Sequence, residues 1–371
     1  MRRSVTVLCA LVTLAACQAD PSGPTSALPM TVSQVITPDG GWMITETDLP
    51  TLGYPGSGCG GMPGGGQAYD INAYGDVVGW SCFPSAYGGG IPHAVLWNIA
   101  SGSIEDLSRG AEVTSMATGI NDNGRITGTT NFDPYTLGGG RAFIYDWRIG
   151  IKPIGSLGGA SSATKINNNT IVVGVSETKA GSSRAFFFGS DSRMHPLGAM
   201  IHANDVDDAG LIAGGAIFAG DPAEHAAIAY TDGTIVDYGR KGRRAVLTSG
   251  PPLVGNYYMD ATPLGASHAF ITDLPGDLRP IPTLGGTVNA ALGSTAGPAV
   301  VGWSEDLDPG RSSIRDAYFW SPVAGTLRLH LSPLSASFST ARAINASWQI
   351  VGFRQTQSYA TPVVWTVTRI P

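Results

Sequence analysis

A twelve-residue block, Ala117-Thr118-Gly119-Ile120-Asn121-Asp122-Asn123-Gly124-Arg125-Ile126-Thr127-Gly128, returns along the chain in recognisable form. It recurs as Ala68 to Gly79, Ala163 to Gly174, Ala203 to Gly214 and Ala341 to Gly352, with degenerate copies closing at Gly255 and Gly302. The closing glycines stand 40–50 residues apart. A period of that size marks one supersecondary unit that cannot bury its apolar face alone and stacks on its neighbours instead.

Two further blocks follow each glycine in fixed order. The second reads His93-Ala94-Val95-Leu96-Trp97, Arg141-Ala142-Phe143-Ile144-Tyr145 or His268-Ala269-Phe270-Ile271; the third reads Ile104-Glu105-Asp106-Leu107 or Ile235-Val236-Asp237-Tyr238. Each unit therefore holds four short strands, A to D. The A–B link, as in Asn121-Asp122-Asn123-Gly124, has the residues that tolerate a tight turn. Strand C does not alternate polar with apolar, as expected of a sheet covered on both faces. A four-stranded meander at this period has the size of a propeller blade. The expected fold is all-β: a seven-bladed β-propeller of four-stranded blades. A β-solenoid is the alternative, and ring closure separates the two. The seventh unit supplies A, B and C, while Trp42 to Leu49 reads as a strand D. Its sequel Pro50-Thr51-Leu52-Gly53 matches Ile281-Pro282-Thr283-Leu284-Gly285. The N-terminal strand is thus expected to complete the last blade beside Val363 to Thr368, leaving no open sheet edge at the seam.

The first residues have another character. Met1-Arg2-Arg3 precedes an apolar run, Val5 to Ala16, too short to span a bilayer. It ends in Leu14-Ala15-Ala16-Cys17, which resembles the bacterial lipoprotein cleavage box and implies cleavage before Cys17 and acylation of that Cys. Several acyl chains anchor a protein stably, and Gln18 after the Cys resembles an outer-membrane address. The organisation read here is a signal peptide over 1–16, a lipidated Cys with a Pro-rich polar linker over 17–40, and the propeller over 41–371. Cys9 leaves with the signal, so Cys59 and Cys82 remain and are expected to pair in an oxidising compartment.

The His-Ala-Phe block, the Asn-x-x-Gly-x-Val-Val-Gly block and the Leu-Gly-Gly tails resemble the HAF family of extracellular repeats. The likeness covers about Trp42 to Pro371, although only His268-Ala269-Phe270 has the name motif strictly. It implies an exported, propeller-like protein and brings no catalytic residues with it.

The chain carries a net charge of −6 with only 13% charged residues, a poor match for a phosphate backbone, so no nucleic-acid partner is expected. Gly-x-Ser-x-Gly elbows, P-loops and His-Glu-x-x-His patterns are missing. An enzyme is thus the lesser expectation, and no cofactor is expected. Calcium is a secondary reading at two acidic stretches. One is His202 to Asp208; the other is Glu305-Asp306-Leu307-Asp308, where Glu305, Asp306 and Asp308 are the candidate ligands. The B–C and D–A loops are long and dissimilar, whereas the A–B and C–D turns are short and repetitive. Function rides on variable loops over a rigid scaffold. The expected binding face carries Phe83, Tyr87, Phe132, Tyr135, Tyr257, Tyr258 and Arg311, with Glu177, Lys179 and Glu224 as further charged candidates. Polar residues of strand A, namely Asp70, Lys165, Asp205 and Arg342, are expected at the channel mouth. The reading is a monomeric, lipid-anchored binding or scaffold module of the cell envelope, touching the membrane only through its anchor. Its partner would be an envelope protein or a glycan. The alternative is an extracellular hydrolase or lyase acting on polysaccharide or peptide at the channel mouth.

Overall fold

Seven four-stranded antiparallel meanders follow one another along the chain, each ordered A, B, C, D. The computed structural model describes residues 31–38, 40–54, 56–133, 138–239, 244–250, 252–258, 267–306, 314–330 and 338–371; these form strands and no helix. The A strands are Met62–Ile71, Ser115–Ile120, Gly158–Ile166, Met200–Val206, Ala245–Ser249, Gly285–Thr295 and Phe338–Ile344. Each touches the A strand of the next blade, and the seventh touches the first, so the A strands line a closed ring. This is a seven-bladed β-propeller. Blade 5 keeps its strand A despite the degenerate sequence.

The seam closes as expected. Trp42–Asp48 lies antiparallel to Tyr359–Arg369, from Trp42 opposite Arg369 to Asp48 opposite Val363. Tyr359 and Ala360 also pair in parallel with Gly64 and Gly65 of blade 1. A further strand, Val32–Ile36, pairs outside Trp42–Asp48. It falls within the segment read above as linker, so ordered sheet begins before residue 41; its Val and Ile residues suit a pleated, half-covered strand.

The core is divided into wedges between adjacent blades. Val78, Ala94 and Leu107 of blade 1 pack on Ala117, Ile126 and Phe143 of blade 2, and comparable clusters fill each later interface. This explains the Ala-aromatic pair of strand C. Neighbouring residues of a strand point to opposite faces. Ala185 faces blade 4 while Phe186 faces blade 2, and Ala317 faces blade 7 while Tyr318 faces blade 5. One blade's aromatic thus fills space left by its neighbour's alanine. In blades 1 and 6 the preceding position is buried too, although Arg141 and Arg184 are exposed there: His93 stacks on Phe83 with ring centroids 4.3 Å apart and meets Asp106 at 3.1 Å, and Asp316 faces Arg328.

His225, at the same position of blade 4, lies 2.8 Å from Asp237 and 3.3 Å from Asp221. Burial works against its charge, but the two carboxylates outweigh burial and raise its pKa above the ordinary 6.5. A raised histidine contributes stability that is complete below about pH 6.5 and is lost as pH rises through the folded-state value. The melting-temperature gap between wild type and His225→Gln is therefore expected to be full at pH 5.5 and to shrink at pH 8.5. A gap that widens with pH would refute this.

Strand A carries a β-bulge at one place in every blade. Register slips between Ala117 and Gly119, between Ala163 and Lys165, and at the corresponding pair of each other blade. Beside the bulge, strand A runs so near strand B that the recurrent glycine has no room for a side chain. A Cβ on Gly174 would lie 2.1 Å from the Ser162 carbonyl oxygen. The recurrent Asn of the A–B turn has two tasks. Asn121 Oδ1 accepts from the amides of Asn123 and Arg125, shaping its own turn, while its Nδ2 donates to Asn167 O of the next blade at 2.9 Å. Asn167 repeats this to Asp207 O at 2.7 Å, and Asn345 ties blade 7 to Asn72 O at 3.1 Å.

Cys59 and Cys82 form a disulfide with Cα atoms 5.7 Å apart, beside the buried Trp80. It closes a loop across 23 positions, for which the chain-entropy relation gives about 3 kcal/mol. Reduction or Cys82→Ser is expected to lower the unfolding free energy by about that amount and to move the urea midpoint down accordingly. An unchanged midpoint would show that the bridge contributes nothing to stability.

Candidate functional site

The seven A strands surround a cavity of about 490 Å³ on the ring axis. It lies along the later residues of those strands, in the half of the channel beside the A–B turns. The bulge explains its lining. Between the recurrent Ala and the Ile that follows stand two variable residues. In blade 3 these are Thr164 and Lys165, and both line the cavity. The first of the two serves as a latch in four consecutive blades. Thr118 Oγ1 donates to Ala163 O, Thr164 Oγ1 to Ala203 O, Asn204 Nδ2 to Leu247 O and Thr248 Oγ1 to Ala291 O, at 2.6–2.9 Å. The same position holds Leu292 in blade 6, Arg342 in blade 7 and Tyr69 in blade 1, all lining the cavity. Nothing in the repeat consensus singled out this latch, because its chemistry varies while its geometry does not.

Of the four residues read as channel-mouth candidates, Lys165, Asp205 and Arg342 line this cavity, while Asp70 does not line it and is bonded to Lys165 from behind the wall. Lys165 Nζ donates to Asp70 Oδ1 at 2.5 Å, across the width of blade 2. Gly119, which stands between them in the ring, has no side chain to block that reach; a Cβ there would lie 3.0 Å from Lys165 Cα. Asp70 Oδ2 also accepts the Ile120 amide at 2.9 Å. Burial is the larger influence on Asp70 and pushes its carboxyl up, against the pull of Lys165 and the amides. Burial works the other way on Lys165, but Asp70 and Asp205 outweigh it and hold the ammonium above its usual range. Asp205 accepts from Ser249 Oγ at 2.9 Å and the Gly250 amide at 3.1 Å. Arg342 is different. Its guanidinium lies over the Tyr69 ring at 4.9 Å and near Phe353 at 5.5 Å, and its buried Nε has no hydrogen-bond partner.

Most of the described loop residues are turned to packing. Phe83 is stacked on His93, Phe132 is buried, Tyr257 stacks on His268 at 5.2 Å, and Tyr258 lies under Arg244 at 4.5 Å. These four are consumed largely by packing within or beside their own blades. Tyr87 alone of the described set stands out, 89% exposed. Tyr135 and Arg311 lie outside the described residues, as do Cys17 and Asp308. Of the acidic candidates, Glu305 accepts from the Thr287 amide and hydroxyl at 2.8 and 2.9 Å, while Asp306 is buried against Arg328. They point to different tasks and do not converge. Asp207 and Asp208 are engaged by the Leu211 and Asn168 amides. Among the described residues, no three His, Cys, Asp or Glu side chains gather as a metal site would require.

At the other end of strand A the structure joins His202 and Glu224, which the sequence offered only as separate candidates, to Arg244, which it did not single out. His202 Nδ1 meets the buried Glu224 at 2.5 Å, and Arg244 Nε reaches the same carboxylate at 3.2 Å. Gly215 makes room for it, since a Cβ there would lie 2.2 Å from Glu224 Oε1. Gly215 follows the recurrent Gly214 where other blades carry Trp80, Thr129 or Val175, and that departure was the available signal.

No family model and no curated protein sequence matches the chain. Solved structures do. The β-propeller domain of the Trilobed protease from Pyrococcus furiosus aligns with a TM-score of 0.53 at 11% identity, over 82% of this chain and 95% of that one. Oligogalacturonate lyase from Vibrio parahaemolyticus aligns with a TM-score of 0.55 at 8% identity, over 93% of this chain and 98% of that one. At such identities the likeness is one of fold: the chain has the β-propeller architecture that serves both binding proteins and enzymes.

Proposed function

We propose that this protein is an exported binding module, anchored to the cell envelope through Cys17, that takes a small polar ligand in its central channel. The observation that carries the reading is the cavity itself. It is of ligand size and lined by hydroxyl, amide and charged side chains from all seven blades. The loop aromatics support a broad docking face less well, because packing occupies most of them. The resemblance to HAF repeats and the lipoprotein-like Leu14-Ala15-Ala16-Cys17 accord with an exported, monomeric protein of this kind; loss of acyl labelling in Cys17→Ser tests the anchor.

The experiment for the channel uses the Leu292→Trp variant. Leu292 lines the cavity but forms no latch, so an indole there fills space without untying blades. Wild type and variant are exposed to extract of the producing cells, washed, denatured, and the released small molecules compared by mass spectrometry. A compound retained by wild type and missing from Leu292→Trp is the expected result; identical profiles would exclude the channel as the binding site.

One observation favours a second reading, a hydrolase or lyase. The His202–Glu224 pair at the opposite end of strand A has the arrangement of a carboxylate-oriented general base. His202→Gln would abolish turnover in that case, and channel filling would not.

A further inference from the structure

We propose that the channel ligand is a small hydroxylated monocarboxylate, and that Arg342 is the residue that recognises its carboxylate. This rests on the channel reading above and names the ligand class for that site.

The first observation is an asymmetry of the ring. At one repeat position, blades 2 to 5 devote their side chains to blade-to-blade latches, as with Thr164 on Ala203 O. Blades 7 and 1 place Arg342 and Tyr69 there and make no such bond among the described residues, with apolar Leu292 of blade 6 beside them. Three adjacent blades thus depart from the structural use of the position, and the departure creates a cation seated on an aromatic ring.

The second observation is the charge balance. Lys165 is answered by Asp70, and Asp205 is held by Ser249 and Gly250. Arg342 meets no carboxylate within ion-pair distance among the described residues, and its buried Nε has no partner. A guanidinium drawn partly out of water and left unmatched is costly, and its planar fork fits a carboxylate through two parallel hydrogen bonds. Asp70 and Asp205 stand in or beside the same cavity and disfavour a dianion, so the site selects a single negative charge over a phosphate.

The remaining wall sets the rest of the ligand. The hydroxyls of Thr118, Thr164 and Thr248 donate their protons to carbonyls, which leaves their oxygens able only to accept. The ligand must bring donors, as alcohol groups do. Tyr69, Leu292 and Ile344 line the cavity as well and supply apolar surface for a carbon skeleton, and its volume of about 490 Å³ holds a molecule of roughly monosaccharide size.

Calorimetry on the whole protein tests this with gluconate and glucuronate as probes, against glucose and inorganic phosphate. The expected result is binding of at least one acid and neither control, weakened about tenfold or more in Arg342→Gln. Arg342→Lys, which keeps the charge and loses the fork, should fall between. A purely structural role for Arg342 would instead lower the melting temperature of both variants and leave the preference for acid over glucose unchanged. Equal binding of glucose and the acids, insensitive to Arg342→Gln but abolished by Leu292→Trp, would overturn the carboxylate assignment and leave the channel site standing. Binding that survives Leu292→Trp would place the ligand elsewhere and remove the channel reading itself. No binding of either acid at 10 mM or so, on a folded protein, would also overturn the proposal.

Discussion

Glu46→Gln is expected to lower the unfolding free energy by about 3–5 kcal/mol at neutral pH, the cost of removing one member of a buried charged cluster. Glu46 belongs to the strand that closes the ring and is only 4% exposed. Its Oε2 accepts from Trp365 Nε1 at 2.8 Å and faces His330 Nδ1 at 3.2 Å, while Oε1 lies 3.3 Å from Arg354 Nε. Strand B, strand C and the segment after blade 6 therefore converge on one carboxylate from the other end of the chain. The amide keeps the shape but loses the charge, leaving His330 without a carboxylate and Arg354 with Asp48 alone. Burial works against the Glu46 charge, but His330, Arg354 and Trp365 outweigh it and hold the carboxyl below its ordinary 4.5. A lowered carboxylate contributes stability that is present above the unfolded-state value and is lost as pH falls through the folded one. The difference between wild type and Glu46→Gln, followed in urea by tryptophan fluorescence, should be full at pH 7 and narrow below about pH 4.5. A difference under about 1 kcal/mol at pH 7 would show that the seam does not depend on this cluster.

Gly302→Ala should be nearly as damaging, at the upper end of about 1–3 kcal/mol or beyond. A Cβ at Gly302 would lie 1.8 Å from Ala290 O and 2.9 Å from Ala290 C. Both atoms are backbone of the adjacent strand, so no rotamer change can relieve the clash; strand A must move, and with it the wedge between blades 5 and 6. Gly297, in the turn leading to the same strand, is the control. Its Cβ would have nothing within 4 Å, so Gly297→Ala should be neutral or stabilising by under about 1 kcal/mol. Equal effects of the two substitutions would mean that the recurrent glycine is conserved within the chain for turn flexibility and not for close approach.

Much of the architecture was legible because it is periodic. The number of blades, the four strands of each and the closure of the last blade by Trp42–Asp48 follow from blocks recurring in order, while the disulfide followed from counting cysteines. Apolar residues on both faces of strand C announced sheets covered on both sides, and the inter-blade wedges bear that out. The extra strand Val32–Ile36 escaped notice because it belongs to no repeat. The reason for the glycines was also hidden, because a bulge in strand A that presses a carbonyl on strand B is a fact of backbone path, not of composition.

The candidate site was legible only as a set of positions. Repeat alignment shows that Asp70, Lys165, Asp205 and Arg342 occupy the variable part of strand A, and so approach the axis. It could not show that Lys165 reaches over Gly119 to Asp70, 95 positions away, while Arg342 settles on Tyr69. Long variable loops pointed to Phe83, Phe132, Tyr257 and Tyr258, yet these rings lie on histidines, an arginine or the interior. Periodicity by itself determined the repeated unit and its closure into a ring, since each blade meets only its neighbours and the same contacts recur. Which charges pair and which is left facing the cavity was decided by the tertiary structure alone. Ring closure sets the distances across the channel, and one missing side chain between two blades is enough to choose the partner.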